Sequence, residues 1–244
     1  MTMRPTELAP RIQHTLISTA ATRAEMVRHC EECLRHGFHA AMVAGQWVGL
    51  ARDILAGSPV RVASAVDFPI TMMSTDGKRC EAERLVAAGA AELDIGVRIG
   101  ALLGGEEDRF AEDIRAVVEA VAPVPVKVML ELPLLTPELR ERAVAISVGA
   151  GVRYVKNASS GAVGTATPEE IRFLRSRVPA SVGVKASGGI KTLAHAVSLI
   201  EAGADLLGTS SGAAILAEAA GPGSAGRPGD PAPTGPGGAP MRDY

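Results

Sequence analysis

Residues 151–192 read GVRYVKNASSGAVGTATPEEIRFLRSRVPASVGVKASGGIKT. Two short apolar runs, RYVKNA from Arg153 and VGVKASG from Val182, flank the helical stretch PEEIRFLRSR. Thr167 and Pro168 start that stretch well. A threonine oxygen satisfies an orphan N–H, proline suits the first helical position, and Glu169 and Glu170 face the positive helix end. Strand, helix and strand in this order form a parallel βαβ unit. Each strand carries one lysine, Lys156 or Lys185, among apolar neighbours.

The same alternation continues on both sides. Six further strands are expected: RIQHTLI from Arg11, HAAMVA from His39, VRVASAV from Val60, AELDIGV from Ala91, PVKVMLEL from Pro125 and DLLGTS from Asp205. Helices start after Thr22, after Thr136 with Pro137 behind it, and after Thr192. They close on glycines in HGF, in AAGAAELD, in VGAGVRY and in EAGADLL, where glycine supplies a left-handed cap. Eight strand–helix repeats in one domain match a closed barrel, and no GxGxxG follows the first strand to suggest an open doubly wound sheet. The fold class is therefore α/β, a single (β/α)8 TIM barrel over residues 1–220. From Gly221 to Tyr244 the chain turns Gly/Pro-rich without periodicity and is read as a disordered tail.

Composition fits. The 244 residues are 47% hydrophobic but only 3% aromatic, so Ala, Val, Leu and Ile must fill the interior, as in small barrels. A net charge of -2 and a pI near 6.2 offer no attraction for nucleic acid or an acidic membrane. No apolar run approaches a membrane span, and MTMRPTEL lacks the apolar stretch of a secretory signal, so a cytoplasmic protein is expected. Cys30 and Cys33 form a CxxC, but inside a helix and without a second pair, so they read as helix thiols rather than a metal or redox site. No metal site and no cofactor are expected.

In such a barrel, chemistry sits at the C-terminal ends of the strands. Polar residues there are Gln13, His14 and Thr15 on the first strand and Asp94 on the fourth. The fifth carries Lys127 and Glu131, the sixth Lys156 and the seventh Lys185. Buried lysine is costly, so three lysines in successive strands argue for one inward-facing site. A lysine attacks a carbonyl only as the free amine; a dry pocket and a second ammonium both favour that form. Lys156 and Lys185 supply such a pair, and Asp94 can move protons between intermediates. Glycines before helices expose N–H groups to anions, which makes Gly188, Gly189, Gly208, Ser210 and Ser211 candidates for binding phosphate.

At these residues the sequence resembles the deoxyribose-phosphate aldolases, class I aldolases on a (β/α)8 barrel. The resemblance runs from about Ile12 to Ala219 and is carried by HTLIS, VDFP, AAELDIGVRIGALLGG, VKVMLE, GVRYVKNASSGAVGTATPEEI, VGVKASGGIKT and LLGTSSG. It implies Lys156 as the Schiff-base lysine, Lys185 as its tuning partner and Asp94 as proton relay. Thr15, Ser159 and the five loop residues would hold substrate and phosphate. The implied reaction is metal-free cleavage of 2-deoxyribose 5-phosphate to glyceraldehyde 3-phosphate and acetaldehyde. The implied partner is a small aldehyde or sugar phosphate, the assembly a homodimer or homotetramer. Some members bring a C-terminal tyrosine into the site, a role open to Tyr244.

Four stretches depart from the family pattern: Gln13 replaces an acidic residue, and Asn157-Ala158 follow the lysine. Ala44-Gly45-Gln46-Trp47 and Ile70-Thr71-Met72-Met73 replace two loop motifs. These departures admit a different carbonyl substrate. A barrel that binds a phosphorylated ligand without aldolase chemistry is the reading from another class.

Overall fold

A computed structural model describes residues 3–221. The tail from residue 222 onward, with the expectation placed on Tyr244, lies outside the described residues. Eight parallel strands close in sequence order: β1 (Ile12–Leu16), β2 (Ala40–Val43), β3 (Arg61–Val66), β4 (Glu92–Gly96), β5 (Val126–Met129), β6 (Tyr154–Lys156), β7 (Gly183–Ser187) and β8 (Leu206–Thr209). After a short α1 (Pro5–Leu8), the surrounding helices are α2 (Arg23–His36), α3 (Val48–Leu55), α4 (Thr75–Ala88), α5 (Ile99–Leu103) and α6 (Glu107–Val121). They continue with α7 (Pro137–Gly149), α8 (Pro168–Arg177), α9 (Leu193–Glu201) and α10 (Gly212–Ala220).

Local chemistry sets these boundaries. Thr22, Thr136, Thr167 and Thr192 each accept a backbone N–H from the first helical turn. At the far ends Gly37 (φ 66°), Gly89 (φ 116°) and Gly203 (φ 110°) turn the chain left-handed toward the next strand. Phe110, Ile114, Val117 and Val121 form the buried stripe of α6 at helical spacing.

Strand residues alternate between two environments. Outward-facing Leu93, Ile95, Val128, Val155 and Val184 join the helices in the main core. Inside the barrel, Ala40, Met42 and Ala63 form a small separate apolar group with Ile17 against it. Much of the remaining interior is polar: Gln13 on β1 hydrogen-bonds Glu92 on β4 across the lumen. Among the described residues no helix is long and apolar enough to cross a membrane.

Two strands stop two or more residues before their expected ends. The fifth ends at Met129 rather than running to Leu132, because Glu131 takes a left-handed conformation (φ 49°) and starts a 3-10 turn. The sixth ends at Lys156, where Asn157 turns into the following loop.

Candidate active site

Asp94, on β4, is the centre of the barrel interior and is almost fully buried. Lys185 Nζ lies 2.6 Å and Lys156 Nζ 3.2 Å from its Oδ2, while Lys127 Nζ lies 3.3 Å from Oδ1. Strand register produces this meeting. Asp94 pairs with Lys127 on β5, and Lys156 pairs with Lys185 on β7, so all four face the lumen. Burial alone would push the Asp94 carboxyl up, but the charges of Lys185, Lys156 and Lys127 outweigh it and hold it well below the usual carboxylate range.

Lys185 is held more tightly than Lys156. Its amine donates to Asp94 and to the amide oxygen of Gln13, and its side chain is 1% exposed. Burial pulls its pKa down to about 7; Asp94 opposes the shift, while Lys156 and Lys127 add to it. Lys156 is looser, with contacts of 3.2 Å to Asp94 and 3.3 Å to the Ser159 carbonyl, and its side chain is 6% exposed. The site thus pairs a more reachable amine with a neighbour able to take up or give a proton near neutral pH.

A second carboxylate, not among the residues the sequence singles out, lies below Asp94. Glu92 lies 2.7 Å from Lys127, 2.8 Å from His39 and 2.6 Å from Arg61, and it accepts from Gln13 at 2.6 Å. Burial would raise its carboxyl, but the His39 hydrogen bond and the Lys127 charge outweigh that and keep it ionised. The signal was available: Glu92 precedes Asp94 by two residues, so both face the same way along a strand.

The other candidates separate into groups. Thr15 shares the inner face of Gln13, half-buried toward the strand end, whereas His14 points outward. Its ring stacks on His29 of α2 at 4.8 Å and its Nε2 bonds Glu32 at 2.7 Å. The period-two alternation of a strand excludes His14 from the site. Ser159 is buried, its N–H donates to Glu131, and its Oγ has no protein partner among the described residues. Glu131 is thus a loop anchor rather than a strand residue.

Gly189 and Ser210 are exposed and Ser211 half-buried, at the loops leading to α9 and α10. Gly188 and Gly208 are buried for other reasons. A side chain on Gly188 (φ 106°) would collide with the Gly164 carbonyl of the loop after β6. One on Gly208 would collide with Ser187 and lie 3.0 Å from Lys185 Cε. Gly188→Ala is therefore expected to cost about 2–3 kcal/mol through backbone strain and collision. A thermal melt checks this: a fall of roughly 4–10 °C is expected, and an unchanged midpoint would show that the loop yields.

Of the family departures, Asn157 does not face the lumen. Its Oδ1 accepts the Ser187 N–H and its Nδ2 donates to Glu170, tying the loop after β6 to β7 and α8. Ala44 and Gly45 line a cavity of about 370 Å³ with Ile70, Met72 and Met73. Ala65, also on its wall, is the register neighbour of Asp94. The strap 67–73 is held by Asp67, whose carboxylate accepts the Met72 and Met73 N–H groups and meets buried Lys78 at 3.4 Å. Cys30 and Cys33 are buried in α2; burial pushes the Cys30 thiol to about 11 and raises Cys33 as well, so both stay protonated. Among the described residues no three His, Cys, Asp or Glu side chains are grouped to hold a metal ion.

Three lysines gathered around two buried carboxylates inside a (β/α)8 barrel fit an aldolase of the class I, Schiff-base type. The sequence profile of the DeoC/LacD family aldolases matches residues 11–218. The chain belongs to that family. It is 40% identical to the deoxyribose-phosphate aldolase of Geobacillus sp. (strain WCH70), over 86% of this chain and 94% of that one. It is 41% identical to the deoxyribose-phosphate aldolase of Methanothermobacter thermautotrophicus, over 86% and 94%. The solved tetrameric deoxyribose phosphate aldolase of Aeropyrum pernix superposes with a TM-score of 0.79 at 32% identity, covering 88% of this chain and 91% of that one.

Proposed function

We propose that the protein reversibly cleaves 2-deoxyribose 5-phosphate to glyceraldehyde 3-phosphate and acetaldehyde, with Lys156 as the imine-forming amine. The observation that carries this is the ordering of the lysines around Asp94, with the reachable amine beside a neighbour of pKa about 7. Lys156 attacks the C1 aldehyde of the open-chain sugar, and Lys185 takes up the proton that Lys156 sheds. Loss of water from the carbinolamine gives the iminium. As the C3 hydroxyl gives its proton to Asp94 through a water molecule, the C2–C3 bond breaks. Its electrons flow into the iminium as an enamine, and C3 leaves as the new aldehyde. Protonation at C2 and hydrolysis then release acetaldehyde and restore the amine.

Gly189, Ser210 and Ser211 are proposed to receive the phosphate, where the amino ends of α9 and α10 favour an anion. Gly188 and Gly208 serve that site by leaving space for the adjoining loop and for Lys185. Thr15 and the unpartnered Ser159 Oγ are proposed to meet the sugar hydroxyls. The tetrameric relative supports a homo-oligomer for this chain.

The test compares 2-deoxyribose 5-phosphate with 2-deoxyribose, with borohydride reduction and peptide mapping of the trapped adduct. An adduct on the Lys156 peptide and a strong preference for the phosphorylated sugar are expected. No adduct with any carbonyl tried would leave the reading of a ligand-binding barrel without aldolase chemistry.

One observation favours a second reading, in which the carbonyl partner is less polar. Ile70 and Met72 of the strap are 58% and 81% exposed, and Leu134 across the mouth is 57% exposed. With Met73 they wall a second cavity of about 750 Å³. Faster turnover of alkyl aldehydes than of the sugar phosphate would establish that reading.

A further inference from the structure

The aldolase reading gives Gln13 no role, yet its amide links Glu92 to Lys185, and Lys127 bridges Glu92 and Asp94 beside it. Gln13 is fully buried on β1 and reaches side chains of both β4 and β7. Its Nε2 donates to Glu92 at 2.6 Å, and its Oε1 accepts from Lys185. The polarity of this bridge is fixed from below. Glu92 is an ionised acceptor that also faces Lys127, His39 and Arg61, so only the NH2 end of the amide can point toward it. The oxygen is thereby turned to Lys185, whose other hydrogen bond goes to Asp94.

We propose that Gln13 is a positioning residue for Lys185: pinned by Glu92, its amide oxygen holds the Lys185 amine against Asp94 while keeping a third carboxylate out of the lysine cluster. The charged groups acting on Lys185 are Asp94 from β4, Lys127 from β5 and Lys156 from β6. From β8 it has uncharged neighbours, its register partner Leu206 and Gly208. Three lysines therefore share two carboxylates, and Glu92 is also engaged by His39 and Arg61. A glutamate at position 13 would set a carboxylate against Glu92 and a second negative charge on Lys185, favouring its ammonium form. A neutral amide gives aim without that charge.

The inference rests on Lys156 chemistry, so the wild-type protein is assayed first. Borohydride-trapped adduct on Lys156 is followed from pH 5 to pH 9 with acetaldehyde as the probe, beside steady-state cleavage. Gln13→Glu is expected to move the acid limb of adduct formation up by about one pH unit, a roughly tenfold loss at neutral pH. Gln13→Met, of similar shape and neutral, is expected to leave the limb in place or move it down. Its kcat on the pH plateau should fall about tenfold with KM within about twofold, because Lys185 loses its aim. A purely structural role would lower the melting temperature without moving the limb or the plateau. Unmoved values in both variants, with wild-type adduct present, would overturn the role of Gln13. Absence of wild-type adduct would instead overturn the reading beneath it. Should Gln13→Glu not fold, the plateau kcat of Gln13→Met decides alone.

Discussion

Lys156→Met should abolish borohydride trapping and lower kcat for cleavage by on the order of 10⁴-fold while leaving the fold intact. The two halves of this expectation have separate physical grounds. The loss follows from removing the amine that forms the covalent intermediate, for which no other group compensates. The tolerance follows from the charge pattern. Asp94 keeps Lys185 at 2.6 Å and Lys127 at 3.3 Å, so it is not left as an unpaired buried charge. One of three lysines crowded on Asp94 is gone, which offsets part of the lost contact. Lys156 also helps depress Lys185, so the pKa of Lys185 should rise above about 7 in the variant. Mass spectrometry, a thermal melt and the Lys185 titration check these points. A trapped adduct in Lys156→Met would assign the nucleophile to Lys185 or Lys127.

The features that were legible in the sequence were those written in local chemistry. Threonine caps at Thr22, Thr136, Thr167 and Thr192 bind only the first turn of their own helices, so sequence suffices to place them. Gly37, Gly89 and Gly203 were equally readable, because a left-handed cap is a property of one residue. Lys156, Lys185 and Asp94 could be brought together because parallel register and period-two alternation fix which strand residues face the lumen.

Sequence reading stopped where a side chain's role depends on distant partners. Glu131 looked like a strand residue because nothing local marks its left-handed turn. Its carboxylate is occupied by the Ser159 N–H, which belongs to another loop. Asn157 looked like a pocket change beside the reactive lysine, yet it ties the loop after β6 to Ser187 and Glu170. His14 sat between two inward residues and was grouped with them, although alternation alone would have sent it outward to His29 and Glu32. Alternation alone places both His14 on the outer face and Glu92 on the inner face with Asp94, whereas Glu131 and Asn157 depend on partners in other loops.

Asp94→Asn should affect both chemistry and pH dependence, in a combination that no simple loss of stability reproduces. Neutral asparagine cannot carry the proton between substrate and water, so kcat is expected to fall by about 10²–10⁴-fold. The same change withdraws the negative charge that raises Lys185 against its burial. The Lys185 pKa should therefore fall below about 7, and the acid limb should move to lower pH while the plateau drops. Lys185→Met should leave no limb of this origin.

Stability changes as well, because in the wild type the Asp94 carboxyl is held below its usual range. Such a group stabilises the fold above its unfolded pKa, near 4, and that stabilisation is lost as pH falls toward the folded value. The variant lacks this source of acid sensitivity. Its melting temperature should be lower at neutral pH, and the gap to wild type should narrow as the pH is taken below about 4. The cost at neutral pH stays below the roughly 3–5 kcal/mol of a fully broken buried ion pair, since Lys185 can release its proton once its counter-ion is gone. An acid limb that stays at the wild-type position in Asp94→Asn would mean that a group other than Lys185 controls the reactive amine.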